Sequence, residues 1–144
     1  VIERLTVKPS FGNILVWRSI YESQGRFYVD GMRVGIAPMA YPVPSLATLD
    51  PARDLPWLDL SSQPLPDLVR FDRFSQGFIA RSPDAPNTVI DMRYSFLPNT
   101  IGALWAIALT PDGAPDRHVL YQTNRGNAPA NFAALWRMIT ADRD

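Results

Sequence analysis

The protein has 144 residues, a length typical of a single domain that buries its own core without disulfides or a structural metal. Its composition, 47% hydrophobic and 19% charged, excludes a disordered tail, a collagen-like repeat and a coiled coil. Fourteen basic and fourteen acidic side chains cancel, which argues against a nucleic-acid partner and against a polybasic membrane-surface module.

Cysteine and histidine counts narrow the chemistry further. The sequence has no cysteine, which excludes a disulfide framework, a thiolate zinc site and a cysteine nucleophile. It has one histidine, His118, so no multi-histidine metal site can form within this chain. We therefore expect no metal ligands and no cofactor here.

The sequence begins at Val1, without an initiating Met and without the regions of a signal peptide. We expect residues 1–144 to form one soluble domain that is a piece of a longer protein. The longest uncharged stretch, residues 94–111, approaches the length of a membrane span. Pro98, Asn99 and Gly102 interrupt it, which instead predicts a turn between two strands.

The first half of the chain predicts a β-hairpin followed by a long loop. Residues 14–21 and 26–36 are rich in β-branched and aromatic types, and Gly25 lies at the turn between them. Residues 37–66 contain seven of the fourteen prolines. Since proline removes ladder donors and breaks helices, this segment is predicted to be a proline-rich loop along the surface.

The second half predicts short strands flanked by two helices. The helices are expected over 66–76 and about 128–141, the second with a plausible N-cap at Asn127. Strands are expected over 78–82, 88–96, 104–109 and 117–122, with 104–109 central because it is apolar on both faces. The fold class predicted is therefore α+β: a curved antiparallel sheet of five to six strands packed with one or two helices.

Two amphipathic patterns define which faces should be buried. In the strand over 88–96, alternation places Ile90, Met92, Tyr94 and Phe96 on one face and Asp91, Arg93 and Ser95 on the other. In the last helix, the 3.6-residue period predicts one buried stripe. The stripe consists of Phe132, Leu135, Trp136 and Ile139.

A candidate polar site comprises Asp91, Arg93, Arg18 and His118. Asp91 and Arg93 share a strand face, and we expect this pair to be buried beneath the proline-rich loop or the final helix as a structural contact. Arg18 follows Trp17 in the first predicted hairpin strand. Trp17 is expected in the core and Arg18 on the surface. If Arg18 instead faces the same side as Asp91, the two could pair across the sheet.

His118 offers a second polar possibility. Asp116 lies two residues earlier, on the same face of a strand, so the pair could form an oriented general base. A polar strand start is the plainer interpretation, since no nucleophile is marked nearby. The sequence also lacks a glycine-rich phosphate loop, a nucleophile elbow, a zinc-protease motif and a calcium loop. No catalytic residue is therefore assigned.

Four short stretches, in order, carry a family resemblance. They are residues 9–22 (PSFGNILVWRSIYE), 27–30 (FYVD), 69–75 (VRFDRFS) and 91–94 (DMRY). Together they resemble the soluble C-terminal region of the bacterial membrane-bound metal-dependent hydrolases, also described as LexA-regulated inner-membrane hydrolases. The resemblance covers residues 9–109.

This resemblance implies an extramembrane C-terminal accessory domain that is itself non-catalytic. The metal ligands of that family are histidines and acidic residues of an N-terminal, membrane-embedded half, so a divalent metal is expected there. That half is the expected partner, and the bacterial inner membrane is the expected location.

Two alternatives stay open. One is a small-molecule or lipid-binding α+β module, with a cavity lined by Trp17, Tyr28, Tyr94 and Trp105. The other is an independent enzyme that uses Asp91, Arg93 or His118. A sizeable cavity would favour the first, and a deep polar cleft joining the three side chains would favour the second.

Overall fold

The computed structural model describes residues 1–126 and 128–140, and the fold is α+β as predicted. Eight strands and three helices are found in this described part of the chain. In chain order the elements are β1 (Arg4–Pro9), β2 (Val16–Ser23), β3 (Arg26–Arg33), β4 (Met39–Ala47), α1 (Pro51–Asp54), α2 (Pro64–Phe74), β5 (Ile79–Arg81), β6 (Thr88–Asp91), β7 (Trp105–Ala108), β8 (Leu120–Thr123) and α3 (Ala128–Thr140). None of these helices combines the length and the apolar character needed to cross a bilayer.

The first sheet has the antiparallel order β1-β2-β3-β4. The predicted hairpin is confirmed as β2 and β3, which pair from Val16 with Arg33 to Ser23 with Arg26. Gln24 and Gly25 make the two-residue turn, both with positive φ (52° and 67°). Two successive left-handed residues give a turn whose twist matches that of the strands, which is why glycine is favoured here.

The segment over 37–66 is not the long loop that its prolines predict. It contains β4, α1 and the first residues of α2. Strand β4 forms an edge of the sheet, and Pro42 and Pro44 are exposed on it. An edge strand has one row of amide positions without a ladder partner, so proline is tolerated there.

The second sheet has the antiparallel order β5-β6-β7-β8, so the predicted single sheet of five to six strands is replaced by two four-stranded sheets in the described chain. Strand β7 is interior, as predicted. In β6 the neighbours Val89 and Ile90 are both buried, although they point to opposite faces. The second sheet is therefore covered on both sides.

Two apolar cores explain this double burial. One lies between the sheets, where Ile20 and Phe27 of the first meet Ile90 of the second. The other lies between the second sheet and the helical layer, where Phe71 of α2 meets Val89. The architecture is thus sheet, sheet, helix, with the second sheet in the middle.

Helix α3 is present, and its predicted stripe is met in part: Leu135 is buried and Ile139 is partly buried, but Phe132 and Trp136 are exposed. Leu135 and Met138 pack against Val16, whereas Phe132 and Trp136 are 57% and 65% exposed. The helix carries more apolar surface than the first sheet can cover. Periodicity alone therefore predicted a buried face that is rotated about the helix axis from the face that packs against Val16. The N-cap predicted at Asn127, and the helix end at residue 141, lie outside the described residues.

The strand predicted over 88–96 ends early, at Asp91. Beyond it the Asp91 carboxylate accepts a hydrogen bond from the backbone N–H of Arg93 (2.9 Å), and only an isolated bridge pairs Ser95 with Ala103. A side chain has replaced a neighbouring strand as the partner of that amide. The chain is thereby free to turn away from the sheet at the position where the candidate site forms.

Candidate functional site

A buried cluster of charges extends from the space between the sheets to the end of α2. Arg18, Asp91 and Arg93 are 3%, 0% and 5% exposed. The Arg93 guanidinium binds the Asp91 carboxylate in a two-pronged geometry, with Nη2 2.7 Å from Oδ2 and Nε 3.0 Å from Oδ1. The structure thus brings together three of the four predicted polar residues.

Arg93 is held by groups beyond Asp91. Its Nη2 also donates to the carbonyl oxygen of Phe74 (2.7 Å), and its guanidinium lies 5.5 Å from the Phe74 ring centre and 5.2 Å from that of Tyr94. The hydrogen bond to Asp91 raises the pKa of Arg93 above its ordinary value. The expectation of a buried pair is met, but Phe74 at the end of α2 covers it, rather than the proline-rich segment or α3.

Arg18 crosses from the first sheet to the second. Its Nε donates to the carbonyl of Met92 (3.2 Å), and its Nη1 donates to the carbonyls of Pro98 (2.9 Å) and Thr100 (2.6 Å). Desolvation lowers the pKa of Arg18 to about 10, although nearby Asp91 acts in the opposite direction. Arg18 remains charged at neutral pH, and its charge is fixed by backbone oxygens.

The expected orientation of the Trp17–Arg18 pair is therefore wrong. Arg18 points into the space between the sheets, while Trp17 is only half-buried and donates its indole N–H to the carbonyl of Ile14 (2.8 Å). The carbonyls of the irregular segment 92–100 need donors, and a long side chain with five N–H groups supplies several at once.

A cavity of about 270 Å³ opens beside this cluster. Three cationic side chains line it: Lys8, Arg18 and Arg93. Tyr94, Ser10 and Ser95 add polar groups. Nη2 of Arg18 has no hydrogen-bond acceptor among the residues that the structure describes. An unsatisfied donor on a buried cation marks this cavity as the candidate functional site.

The loop over 10–13 forms one wall of this cavity. The Asn13 amide oxygen accepts hydrogen bonds from the backbone N–H groups of Leu15 (2.9 Å) and Val16 (2.7 Å), and its amide nitrogen donates to Ser10 Oγ (2.7 Å). Gly12 has φ +68°, a left-handed conformation that glycine adopts without steric cost. These contacts fix the position of Phe11, which projects at the rim.

Phe11 also borders a second cleft of about 270 Å³. Its other walls include Phe96, Leu104 and Trp105, and Arg125 and Thr123 complete it. The rings of Phe11 and Phe96 are in contact, with centroids 5.4 Å apart. An apolar cleft and a cationic cavity therefore adjoin at Phe11.

The four aromatic residues predicted to line one cavity do not come together. Trp105 lines the apolar cleft and Tyr94 lines the cationic cavity. Trp17 and Tyr28 point away from the second sheet, and Tyr28 stacks on Tyr21 with centroids 5.1 Å apart. The two-residue alternation of β2 and β3 assigns Trp17 and Tyr28 to the outer face.

His118 lies apart from the charge cluster, in a small hollow that also includes Thr110 and Arg117. Its orienting partner is Asp67, not the predicted Asp116: Nδ1 of His118 is 2.9 Å from Asp67 Oδ2. Asp67 lies in the first turn of α2, 51 residues away, so spacing along the chain gave no signal for this pair. The polar cleft that would join His118 to Asp91 and Arg93 is not formed, since His118 and Arg93 line different hollows.

Asp67 is a buried carboxylate with several donors. Burial by itself would raise the pKa of Asp67, but hydrogen bonds from the Val119 N–H (3.1 Å), His118 and Gln63 stabilise the charged form, and the pKa lies below its ordinary value. Arg70 adds an ion pair at 3.0 Å. The arrangement ties α2 to the segment that leads into β8, which is a structural role.

The described residues contain no group of three or more His, Cys, Asp or Glu that could hold a metal ion. Comparisons with family models, with curated proteins and with solved structures give no match. The function of this chain is therefore inferred from its residues and their geometry.

Proposed function

We propose that this chain is the extramembrane C-terminal accessory domain of a bacterial inner-membrane protein resembling the metal-dependent hydrolases, and that the chain itself is non-catalytic. One observation carries the proposal. Arg18, Asp91 and Arg93, which belong to the stretches that carry the resemblance, are buried in contacts that join the second sheet region to the first sheet and to α2. Residues used in this way stabilise the fold and do not act on a substrate. A domain whose buried charged residues are structural suits an accessory role.

On this proposal, the catalytic groups belong to the membrane-embedded half. The histidines and acidic residues that the resemblance implies, and any divalent metal, would lie there. The accessory domain would contribute a rigid body attached beside that half.

An exposed aromatic surface supplies a place for docking. We define it by the exposed Phe11, Phe132 and Trp136 together with the half-buried Phe96. Phe96 contacts the rings of both Phe11 (5.4 Å) and Phe132 (5.1 Å), and Trp136 follows Phe132 by one helical turn. Contiguous exposed apolar surface of this kind marks interaction sites. The partner proposed for it is the membrane-embedded half of the same protein.

Co-expression of the chain and the membrane-embedded half as separate polypeptides tests this proposal. The two should co-purify from detergent, and the double variant Phe132→Ser/Trp136→Ser should abolish recovery of the pair. Leu60→Ser/Leu120→Ser is the matched control, because Leu60 and Leu120 are 81% and 56% exposed but lie outside the aromatic surface.

Two results would contradict the proposal. One is a reading frame in which no apolar spans carrying histidines precede Val1. The other is co-purification that the aromatic-surface variant leaves unchanged, or that both double variants reduce equally.

A second candidate function is a small-molecule or lipid-binding module. The observation that favours it is the apolar cleft of about 270 Å³ beside Phe11, walled by Phe96, Leu104 and Trp105. Ligand sites are concave, mostly apolar and carry a few fixed polar groups. In this cleft Arg125 and Thr123 supply the polar groups. Titration of the purified chain with decyl phosphate and decanol tests it.

A further inference from the structure

We infer that the cationic cavity and the apolar cleft together form one binding site for an amphiphilic anion. A phosphate or carboxylate head group would occupy the cavity lined by Lys8, Arg18 and Arg93. An alkyl or aromatic tail would lie in the cleft beyond Phe11. The inference rests on the second candidate function, a ligand-binding module, and its site shares Phe11 and Phe96 with the aromatic surface defined above.

The charges of the cavity favour an anion. No carboxylate of the described residues lines the cavity, and Asp91, the partner of Arg93, is already engaged with it in a two-pronged ion pair. Lys8 and Arg18 have no ion-pair partner among the described acidic residues; the recorded contact of the Lys8 ammonium is the Tyr94 ring, 5.8 Å away. Three cations therefore face a single carboxylate, and an anionic group would neutralise the excess positive charge.

The hydrogen-bond donors of the cavity point to oxygen acceptors. Arg18 is 3% exposed, and its Nη2 lacks an acceptor in the part of the chain that the structure describes. Ser10 Oγ accepts a hydrogen bond from Asn13, so its own proton is free to be donated. Guanidinium, ammonium and hydroxyl donors on one wall are the set that binds phosphate or carboxylate oxygens.

The apolar half of the site follows from Phe11. Its ring lines both the cavity and the cleft, so a ligand that fills both passes beside it. Each space alone, at about 270 Å³, lies just below the usual range for ligand pockets, whereas the two together fall within it. The tail would contact Phe96, Leu104 and Trp105.

The site also joins two sequence stretches that lie far apart in the chain. The stretch beginning at Pro9 contributes Ser10, Phe11 and Arg18, and the stretch beginning at Asp91 contributes Arg93 and Tyr94. Nε and Nη1 of Arg18 hold backbone carbonyls, whereas its Nη2 is buried without an acceptor among the described residues.

Calorimetric titration of the purified chain with three probes tests the inference. The probes are decyl phosphate below its micelle concentration, inorganic phosphate and decanol. Decyl phosphate should bind at least about tenfold more tightly than either of the others, because it alone meets both the charged donors and the apolar walls.

Variants assign the head group to the cavity. Lys8→Ala should weaken decyl phosphate binding about five- to tenfold and leave decanol binding unchanged, since one charge-assisted contact is lost. Arg26→Ala is the control: it removes one exposed positive charge at the other end of the β2–β3 hairpin and should leave every affinity unchanged. Lys8 is preferred to Arg18 because Arg18 also supports the fold.

The possible outcomes distinguish failure of the anionic site from failure of the ligand-binding module. Equal binding of decyl phosphate and decanol, insensitive to Lys8→Ala, would preserve the ligand-binding module but overturn the anionic site. Inorganic phosphate binding as tightly as decyl phosphate would overturn the amphiphile and leave a site for a free oxyanion. Failure of all three probes to bind would contradict both the inference and the second candidate function.

Discussion

Arg18 brings its charge into the interior mainly to satisfy backbone carbonyl groups. Three carbonyls of the segment from Met92 to Thr100 accept hydrogen bonds from its Nε and Nη1. Buried carbonyl groups that no strand pairs need donors from elsewhere. The arginine thus substitutes for a missing neighbouring strand, and the irregular segment is stable because of it.

Asp67 makes stability depend on pH. Its pKa is lowered in the folded state relative to 3.8, so its contribution is fully present above that value and is lost as pH falls through the folded pKa. Asp67→Asn should therefore lower the free energy of unfolding near pH 6 by about 1–3 kcal/mol, because the Val119 N–H and the His118 imidazole lose a charged acceptor. The difference from the natural chain should shrink as pH falls below 3.8 and through the lowered pKa of Asp67. Urea unfolding at several pH values measures this.

Asp116→Asn is the control for that experiment. Asp116 is exposed and is the partner that chain spacing predicts for His118, yet His118 binds Asp67 instead. This variant should stay within about 0.5 kcal/mol of the natural chain at every pH. A pH-independent effect of Asp67→Asn would show that the Asp67 carboxylate is not stabilised in its charged form.

In helix α3 the structure separates two neighbouring residues, Leu135 and Trp136, that periodicity places on the same buried stripe. Leu135 is 2% exposed against Val16, whereas Trp136 is 65% exposed. Leu135→Ala should cost about 2–5 kcal/mol, as expected for truncation of a buried leucine. Trp136→Ala should stay within about 0.5 kcal/mol. Urea denaturation of the two variants compares them, and a larger loss for Trp136→Ala would mean that the sequence-based stripe was correct.

The prolines of β4 should protect an open edge of the first sheet. Pro42 and Pro44 lie in an edge strand and are exposed, and proline cannot donate to an added strand. The double variant Pro42→Val/Pro44→Val should keep the fold but self-associate, which light scattering coupled to size-exclusion chromatography detects. Pro83→Val/Pro86→Val, at exposed turn positions outside the strands, is the control. Two monomeric variants would contradict the edge-protection argument.

The sequence predicted those elements in which residue composition, alternation and turn residues all indicate the same structure. The β2–β3 hairpin combines β-branched residues with a glycine turn, and β7 is apolar on both faces, so both were predictable. Strand β4 was missed because its prolines outweigh its alternation. Strand β1 was missed because its apolar residues, Leu5 and Val7, face solvent and give no burial pattern.

The candidate site could be predicted only in part, because only some of its contacts join residues that share a local pattern. Asp91 and Arg93 share a strand pattern, so their pairing could be inferred from the sequence. The inward position of Arg18 could not, since buried arginines are rare and a neighbouring tryptophan is the usual core residue. The Asp67–His118 pair joins positions 51 residues apart, and no local pattern links them.

The whole molecule depends on contacts between layers, which single-strand patterns do not encode. Each strand pattern shows that a face is buried, but not whether a sheet or a helix buries it. Val89 and Ile90 hold the clue, because adjacent buried residues in one strand require cover on both sides. The Arg18–Asp91–Arg93 cluster then ties all three layers together, through β2, β6 and the end of α2.

A double-mutant cycle on Asp91 and Arg93, measured by urea unfolding, tests the structural role of this cluster most directly. Asp91→Asn and Arg93→Gln should each cost about 3–5 kcal/mol, because either change leaves a buried charge without its partner. The double variant should cost much less than the two single changes added together, with a coupling energy well above about 1 kcal/mol. Near-neutral single variants with coupling of at most about 1 kcal/mol would instead describe a solvated pair and would contradict the account.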